Sequence, residues 1–279
     1  MALLLLLVAQ DARIREKKDL AYFDGDGADA KKHRLDLYLP ATDKPFPVLM
    51  WIHGGGWKMG DRSMYGELGR RFAEAGIGCA VISYRLSPDV KHPEHVKDCA
   101  RAFAWLHANV KEHGGNPDRL FVSGQSAGGH LTALLALNRA YLEELKVPED
   151  AIKGAIPMSG VYTIPAVKRE LPGLKMFKEA FGSEPDVCAE ASPTTHVKNA
   201  KAPMLVITET EDDKALLRET MAGFKKAVEA AELKNVTFLD AQDRNHISIV
   251  TKLMAKGDDP SRSAMIEFIT KRCAELDRK

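Results

Sequence analysis

The chain has 279 residues, 45% of them hydrophobic and 28% charged, an ordinary globular composition and enough length to bury the core of one α/β domain or two small ones. Forty basic against thirty-nine acidic residues leave a formal charge of +1, so no overall field draws the protein to nucleic acid or to an anionic membrane surface. Repeats and low-complexity tracts are absent, and the four cysteines at 79, 99, 188 and 273 form neither a CxxC pair nor a zinc-like cluster with histidine.

The amino terminus, MALLLLLVAQ, holds an apolar run from Ala2 to Ala9 that is far shorter than the ~20 residues needed to span a bilayer. It lacks a basic leading segment and has a poor cleavage site, so it leaves both an exported and a cytoplasmic location open and argues against stable membrane insertion. Residues 1–19 read as a leader or disordered segment, and residues 20–279 as a single domain. The aspartates of FDGDGAD (Asp24, Asp26, Asp29) lack the terminal glutamate of a calcium loop and read as a turn.

Strands and helices then alternate. HRLDLYLP places Leu35, Leu37 and Leu39 on one face of a strand, ATDKP is turn chemistry, and FPVLMWIH is a continuous apolar run suited to a strand covered on both sides. GCAVISY precedes the helical HVKDCARAFAWLHANVKEH, and RLFVSG precedes the helical SAGGHLTALLALNRAYLEEL. GAIPMSG follows, then a Pro-, Lys- and Glu-rich stretch over 160–202 that reads as an insertion forming a small lid. APMLVIT leads into KALLRETMAGFKKAVEAAEL, NVTFLD into DRNHISI, and SAMIEFITKRCAEL is a last helix. The pattern predicts an α/β fold with a mainly parallel sheet and helices on both faces. Reactive groups in such sheets lie just beyond the carboxyl ends of the strands. HGGGW, GQSAGG, ETEDD and AQDRNH each stand in that position.

The segment Gly124-Gln125-Ser126-Ala127-Gly128 is a G-x-S-x-G turn between a strand and a helix, so sharp that the serine backbone is strained and flanking side chains would collide with neighbouring backbone. It lifts Ser126 Oγ above the sheet edge beside the first N–H groups of the new helix. A serine needs a base, usually a histidine held in one tautomer by a carboxylate. His246 is the only histidine downstream of both Ser126 and the acidic loop. Asp212 and Asp213 follow the strand PMLVIT, as do Glu209 and Glu211; Asp212 is the favoured acid and Asp213 the second choice. Oxyanion donors are expected from the backbone of Gly55, Gly56 and Ala127, since three consecutive glycines in HGGGW let amides approach a substrate. Trp57 and Gln125 are expected to contact substrate. Tyr84 suits either the pocket or the core, and His130 is expected to pack beneath the site.

Together HGGGW, YRLSPD, GGNPDRLFVSGQSAGG, PMLVITETEDD and the final NH resemble the α/β-hydrolase superfamily, specifically the esterase and lipase branch typified by hormone-sensitive lipase and bacterial carboxylesterases. The resemblance runs from about Leu35 to His246. It implies that His53 shapes the oxyanion loop and is not the base. In two respects the chain departs from those relatives: Thr208-Glu209 replaces the frequent His-Gly before the acid loop, and only 52 residues precede the glycine motif, which implies an open pocket for modest acyl groups.

The expectation is a serine hydrolase cleaving short-chain or aryl carboxylic esters through an acyl-enzyme, with a small-molecule ester as its partner and no metal or organic cofactor. Amide hydrolysis, as by an arylformamidase or peptidase, is the alternative reaction, and a non-catalytic binding module on the same fold is the alternative of another class. The sequence is silent on oligomeric state.

Overall fold

A computed structural model describes residues 14–167, 174–211 and 215–278. Its sheet has eight strands: β1 (Ile14–Ala21), β2 (Arg34–Pro40), β3 (Phe46–Ile52), β4 (Gly78–Ile82), β5 (Gly115–Gln125), β6 (Ile152–Met158), β7 (Met204–Glu209) and β8 (Val236–Ala241). They lie in the order β1-β2-β4-β3-β5-β6-β7-β8. The first two pairings, β1 with β2 and β2 with β4, are antiparallel, and every later pairing is parallel.

The continuous apolar runs are explained by helices on both faces. Along β3, Val48, Met50 and Ile52 point into one core with α2 (Glu94–Asn109) and α3 (Ala127–Leu137), where Val96, Phe103 and Leu131 meet them. The alternate residues Leu49 and Trp51 enter a second core with α1 (Gly66–Glu74), here Leu68 and Phe72. β5 divides in the same way, with Val122 on the first side and Phe121 on the second. The α3 segment is apolar on nearly every side, His130 and Thr132 apart, and is buried along its length, as such a helix must be.

Two sequence expectations are corrected. The segment read as leader contributes residues 14–19 to β1, an edge strand whose exposed REKKD shows no apolar alternation; charge on an edge strand blocks pairing with other chains and hides the strand from a hydrophobicity reading. The long helix expected after Ser126 stops at Asn138, whose extended backbone (φ −100°, ψ 95°) separates α3 from the short α4 (Ala140–Glu143).

The described parts of the 160–202 insertion fold as α5 (Lys175–Phe181), α6 (Pro185–Glu190) and a 3-10 turn (Pro193–Asn199). The chain then completes α7 (Ala215–Ala230), α8 (Ser248–Met254) and α9 (Pro260–Leu276). Among the described residues no helix is long and apolar enough to cross a membrane.

Candidate active site

Ser126 sits between the end of β5 and the start of α3 with φ 58° and ψ −118°, a conformation that a non-glycine residue holds only where its surroundings impose it. The surroundings are close. A Cβ on Gly128 would lie 2.0 Å from the Ile52 carbonyl oxygen, and one on Gly124 would lie 2.5 Å from it, so the elbow packs against β3 only with glycine on both sides of the serine. The Ser126 N–H donates to the Met158 carbonyl at the end of β6 (2.9 Å) and fixes the turn from the other side.

Ser126 Oγ lies 2.9 Å from His246 Nε2, and His246 Nδ1 lies 2.7 Å from Glu209 Oε1. Glu209 is the last residue of β7, paired in register with Ala241 of β8, and the loop carrying His246 begins just beyond that residue. The Glu211 N–H donates to the Arg244 carbonyl (2.9 Å), which ties the two loops together. Burial pushes the Glu209 pKa up, but hydrogen bonds from His246, Ser159 and its own backbone outweigh it and hold the group at about 2. An ionised Glu209 can only accept, so His246 Nδ1 donates to it, and Nε2, which the Gln125 amide nitrogen also approaches to 3.3 Å, turns its lone pair toward the serine hydroxyl.

Asp212 and Asp213, the acids favoured from the sequence, lie outside the described residues. The described carboxylate on Nδ1 is that of Glu209.

The Ser159 hydroxyl donates to Glu209 Oε2. Ser159, with φ 48°, occupies the first position after β6, and sequence reasoning missed it although the strand-end rule that found the other loops applies equally to it.

The glycine loop after β3 turns through left-handed backbone at Gly55 (φ 116°), Gly56 (φ 61°) and Trp57 (φ 59°). Gly56, Trp57 and Ala127 line a cavity of about 410 Å³ together with Ser126 and His246. Gly55 is set back from that wall, and its carbonyl accepts from the N–H groups of Lys58 and Met59 at 3.1 Å each. The opposite wall is apolar: Leu174, Met176 and Phe177 at the start of α5, and Leu216 and Leu217 of α7.

Gln125 does not face this cavity, contrary to the sequence expectation. It is buried, and its side-chain amide donates to the His246 backbone carbonyl at 2.9 Å and lies 3.3 Å from His246 Nε2, so it holds both the histidine loop and its ring in place. His53 stacks on Tyr84 with ring centroids 4.3 Å apart, and the Tyr84 hydroxyl donates to the His53 carbonyl at 3.1 Å. Tyr84 is therefore a core aromatic bracing the glycine loop. Among the described residues no group of three or more His, Cys, Asp or Glu side chains gathers as a metal site would.

Burial pulls three histidines well below their ordinary value of 6.5, His53 and His95 to about 4 and His130 to about 3. The unfolded chain takes up a proton on each as pH falls through 6.5, while the native chain does not until about 4 or below. Each such proton lowers folding stability by ~1.4 kcal/mol per pH unit across that window. Urea unfolding is therefore expected to show a midpoint that drops steeply between about pH 6.5 and pH 4.5. A midpoint flat over that range would contradict neutral buried imidazoles.

The strand order, the serine elbow and the sheet-edge cavity define an α/β-hydrolase. A family model described as BD-FAE matches residues 35–226, and the chain belongs to that family. It is 30% identical over 250 residues to "Probable carboxylic ester hydrolase LipM" of Mycobacterium tuberculosis, covering 84% of this chain and 58% of the relative. It is 31% identical over 215 residues to "Probable isoprenylcysteine alpha-carbonyl methylesterase ICME" of Oryza sativa subsp. japonica, covering 71% of this chain and 52% of the relative. The chain thus spans little more than half the length of these curated relatives. Among solved structures it shares its fold with a truncated carbohydrate esterase from gut microbiota (TM-score 0.78, 19% identity, 95% of this chain and 98% of that one). It shares it also with esterase B of Lactobacillus rhamnosis inhibited by a tributyrin phosphonate (TM-score 0.78, 23% identity, 95% and 88%).

Proposed function

We propose that this protein hydrolyses carboxylic esters through an acyl-enzyme on Ser126. The observation that carries the proposal is the unbroken chain from Ser126 Oγ through His246 to Glu209, opening on a cavity flanked by the backbone of Gly56 and Ala127. The names of the curated relatives support the same chemistry.

In this reading His246 Nε2 takes the hydroxyl proton as Ser126 Oγ attacks the ester carbonyl. The amides of Gly56 and Ala127 receive the oxyanion, each such donor being worth about 3 kcal/mol at the transition state, while Gly55, set back from the wall, shapes the turn that presents Gly56. The imidazolium, steadied by Glu209, protonates the leaving alkoxide, and the alcohol departs. Water then gives its proton to His246 and attacks the acyl-serine, which frees the acid and restores Ser126. Gln125 and Ser159 act as positioning residues for His246 and Glu209, and the insertion over 160–202 serves as a small lid.

The cavity favours short acyl and aryl esters. Its volume of about 410 Å³ lies toward the lower end of the ~300–1,000 Å³ spanned by small-molecule sites. Turnover of p-nitrophenyl acetate, butyrate and octanoate, a long-chain triglyceride and formylkynurenine tests both parts. Highest kcat/KM is expected on the short p-nitrophenyl esters. A clear preference for formylkynurenine would replace the ester reading with amide hydrolysis, and a preference for the triglyceride would overturn the assignment of acyl length.

A further inference from the structure

His130 is a buried titratable group that the proposed acyl transfer does not use. It lies one turn along α3 from Ser126, and its backbone N–H donates to the Ser126 carbonyl at 2.9 Å. Its ring is fully buried and bonded at both nitrogens: Nε2 lies 2.8 Å from the Ala191 carbonyl, and Nδ1 lies 3.2 Å from the indole nitrogen of Trp57. A carbonyl can only accept and an indole N–H can only donate. Nε2 must therefore carry the hydrogen, and Nδ1 must present its lone pair to Trp57.

The order of dependence matters. If the proton moved to Nδ1, the ring would face the indole donor to donor, so the bond to Ala191 at the end of α6 sets the tautomer that allows the bond to Trp57. Trp57, in turn, has an unusual backbone. A bulky residue at φ 59° is held there by its surroundings, and it directly follows Gly56 at φ 61° on the cavity wall. Its ring packs edge-on against His130 (5.2 Å) and Phe181 (4.8 Å) and tilts against Phe177 (5.5 Å), so its N–H bond to His130 is the polar anchor of an otherwise apolar contact.

Resting on the reading of Gly56 as an oxyanion donor, we propose that His130 is a positioning residue that fixes the Gly56–Trp57 turn through the Trp57 indole and couples that turn to the 160–202 insertion through Ala191. The acyl-transfer machinery then responds to how this insertion is seated, although His130 touches no reacting atom.

Conservative variants of the full chain separate the two arms. In His130→Asn the side-chain oxygen occupies the place of Nδ1 and can still accept from Trp57. In His130→Gln the amide nitrogen occupies the place of Nε2 and reaches Ala191 but leaves the indole without an acceptor. Measured on p-nitrophenyl acetate, His130→Gln and Trp57→Phe are each expected to lower kcat by roughly 10- to 100-fold with KM within about twofold, as a misplaced group acting at the transition state does. His130→Asn should stay within about threefold of the parent, and the Trp57→Phe/His130→Gln pair should be no worse than either single change.

Hydrogen exchange of the Trp57 indole N–H, assigned by its loss in Trp57→Phe, gives a readout without catalysis: protected in the parent and in His130→Asn, unprotected in His130→Gln. Equal kcat in the parent and His130→Gln would overturn the proposal, as would losses in the Asn and Gln variants that merely track their melting temperatures. An inert parent with a protected indole would instead sink the esterase reading and leave the His130–Trp57 coupling in place.

Discussion

Ser126→Ala is expected to lower kcat on p-nitrophenyl acetate by roughly 10⁶-fold, the scale on which loss of the nucleophile acts in serine hydrolases. The size follows from what is removed. Without Oγ no acyl-enzyme forms, and the 2.9 Å contact to His246 Nε2 is gone, so the imidazole has no nucleophile to activate. The cavity and the Gly56 and Ala127 backbone remain, and a residual rate over uncatalysed hydrolysis of ~10³-fold from binding and oxyanion stabilisation is consistent with the mechanism. Substrate affinity should change little, because the serine contributes to bond making and not to holding the acyl group. Stability should also change little: alanine inherits the strained elbow at φ 58°, and the flanking glycines that make the turn possible are untouched. A fluorophosphonate should label the parent and not the variant. Retention of more than a few per cent of parental turnover, with contaminating esterase excluded by active-site titration, would move the chemistry to another residue.

Glu209→Gln is expected to cost about 10³- to 10⁴-fold in kcat, while Asp212→Asn and Asp213→Asn each stay within about tenfold of the parent. The carboxylate accepts from His246 Nδ1 at 2.7 Å and from the Ser159 hydroxyl on its other oxygen. An amide of the same shape has only one accepting oxygen. When its NH2 faces Nδ1, that nitrogen must give up its hydrogen, Nε2 takes it, and the lone pair needed by Ser126 is lost. Ser159 steers this outcome, since its hydroxyl competes for the one remaining oxygen. The pH profile supplies a second check. With Glu209 held at about 2, the carboxylate stays charged throughout the working range, so no inflection in kcat/KM above about pH 4 belongs to it. The reverse ranking, with Asp212→Asn crippling and Glu209→Gln mild, would return the role of the acid to the loop residue favoured by the sequence pattern.

The difference between those two acids shows how far the sequence could be read. PMLVIT was recognisable as a strand, and the acidic cluster after it as the place for a carboxylate. The strand, however, runs one residue further and ends on Glu209 itself. Leu205 and Ile207 point into the second core, and period-2 alternation carries Glu209 to that same face, beside the loop that follows Ala241. With the boundary one position further on, Glu209 stands at the end of the strand and not in the acidic loop that follows it. Gln125 is a similar case. Adjacent to the serine in the motif, it invites a substrate role, yet its amide turns to the His246 carbonyl across 121 positions of chain, a contact that no local pattern announces.

Local and periodic features were legible in advance: continuous apolar strands alternating with helices implied a parallel sheet covered on both sides, the glycines around Ser126 implied an elbow, and chain order left one histidine as the candidate base. These are short-range consequences of backbone sterics and of apolar periodicity, and they are written in adjacent residues. Tertiary structure alone brought Glu209 to His246, set polar side chains behind them, and linked Trp57 to Ala191 through His130. Those choices depend on the register between strands and on the seating of the insertion, where contacts form between residues tens of positions apart and a displacement of one residue reverses the direction of a side chain.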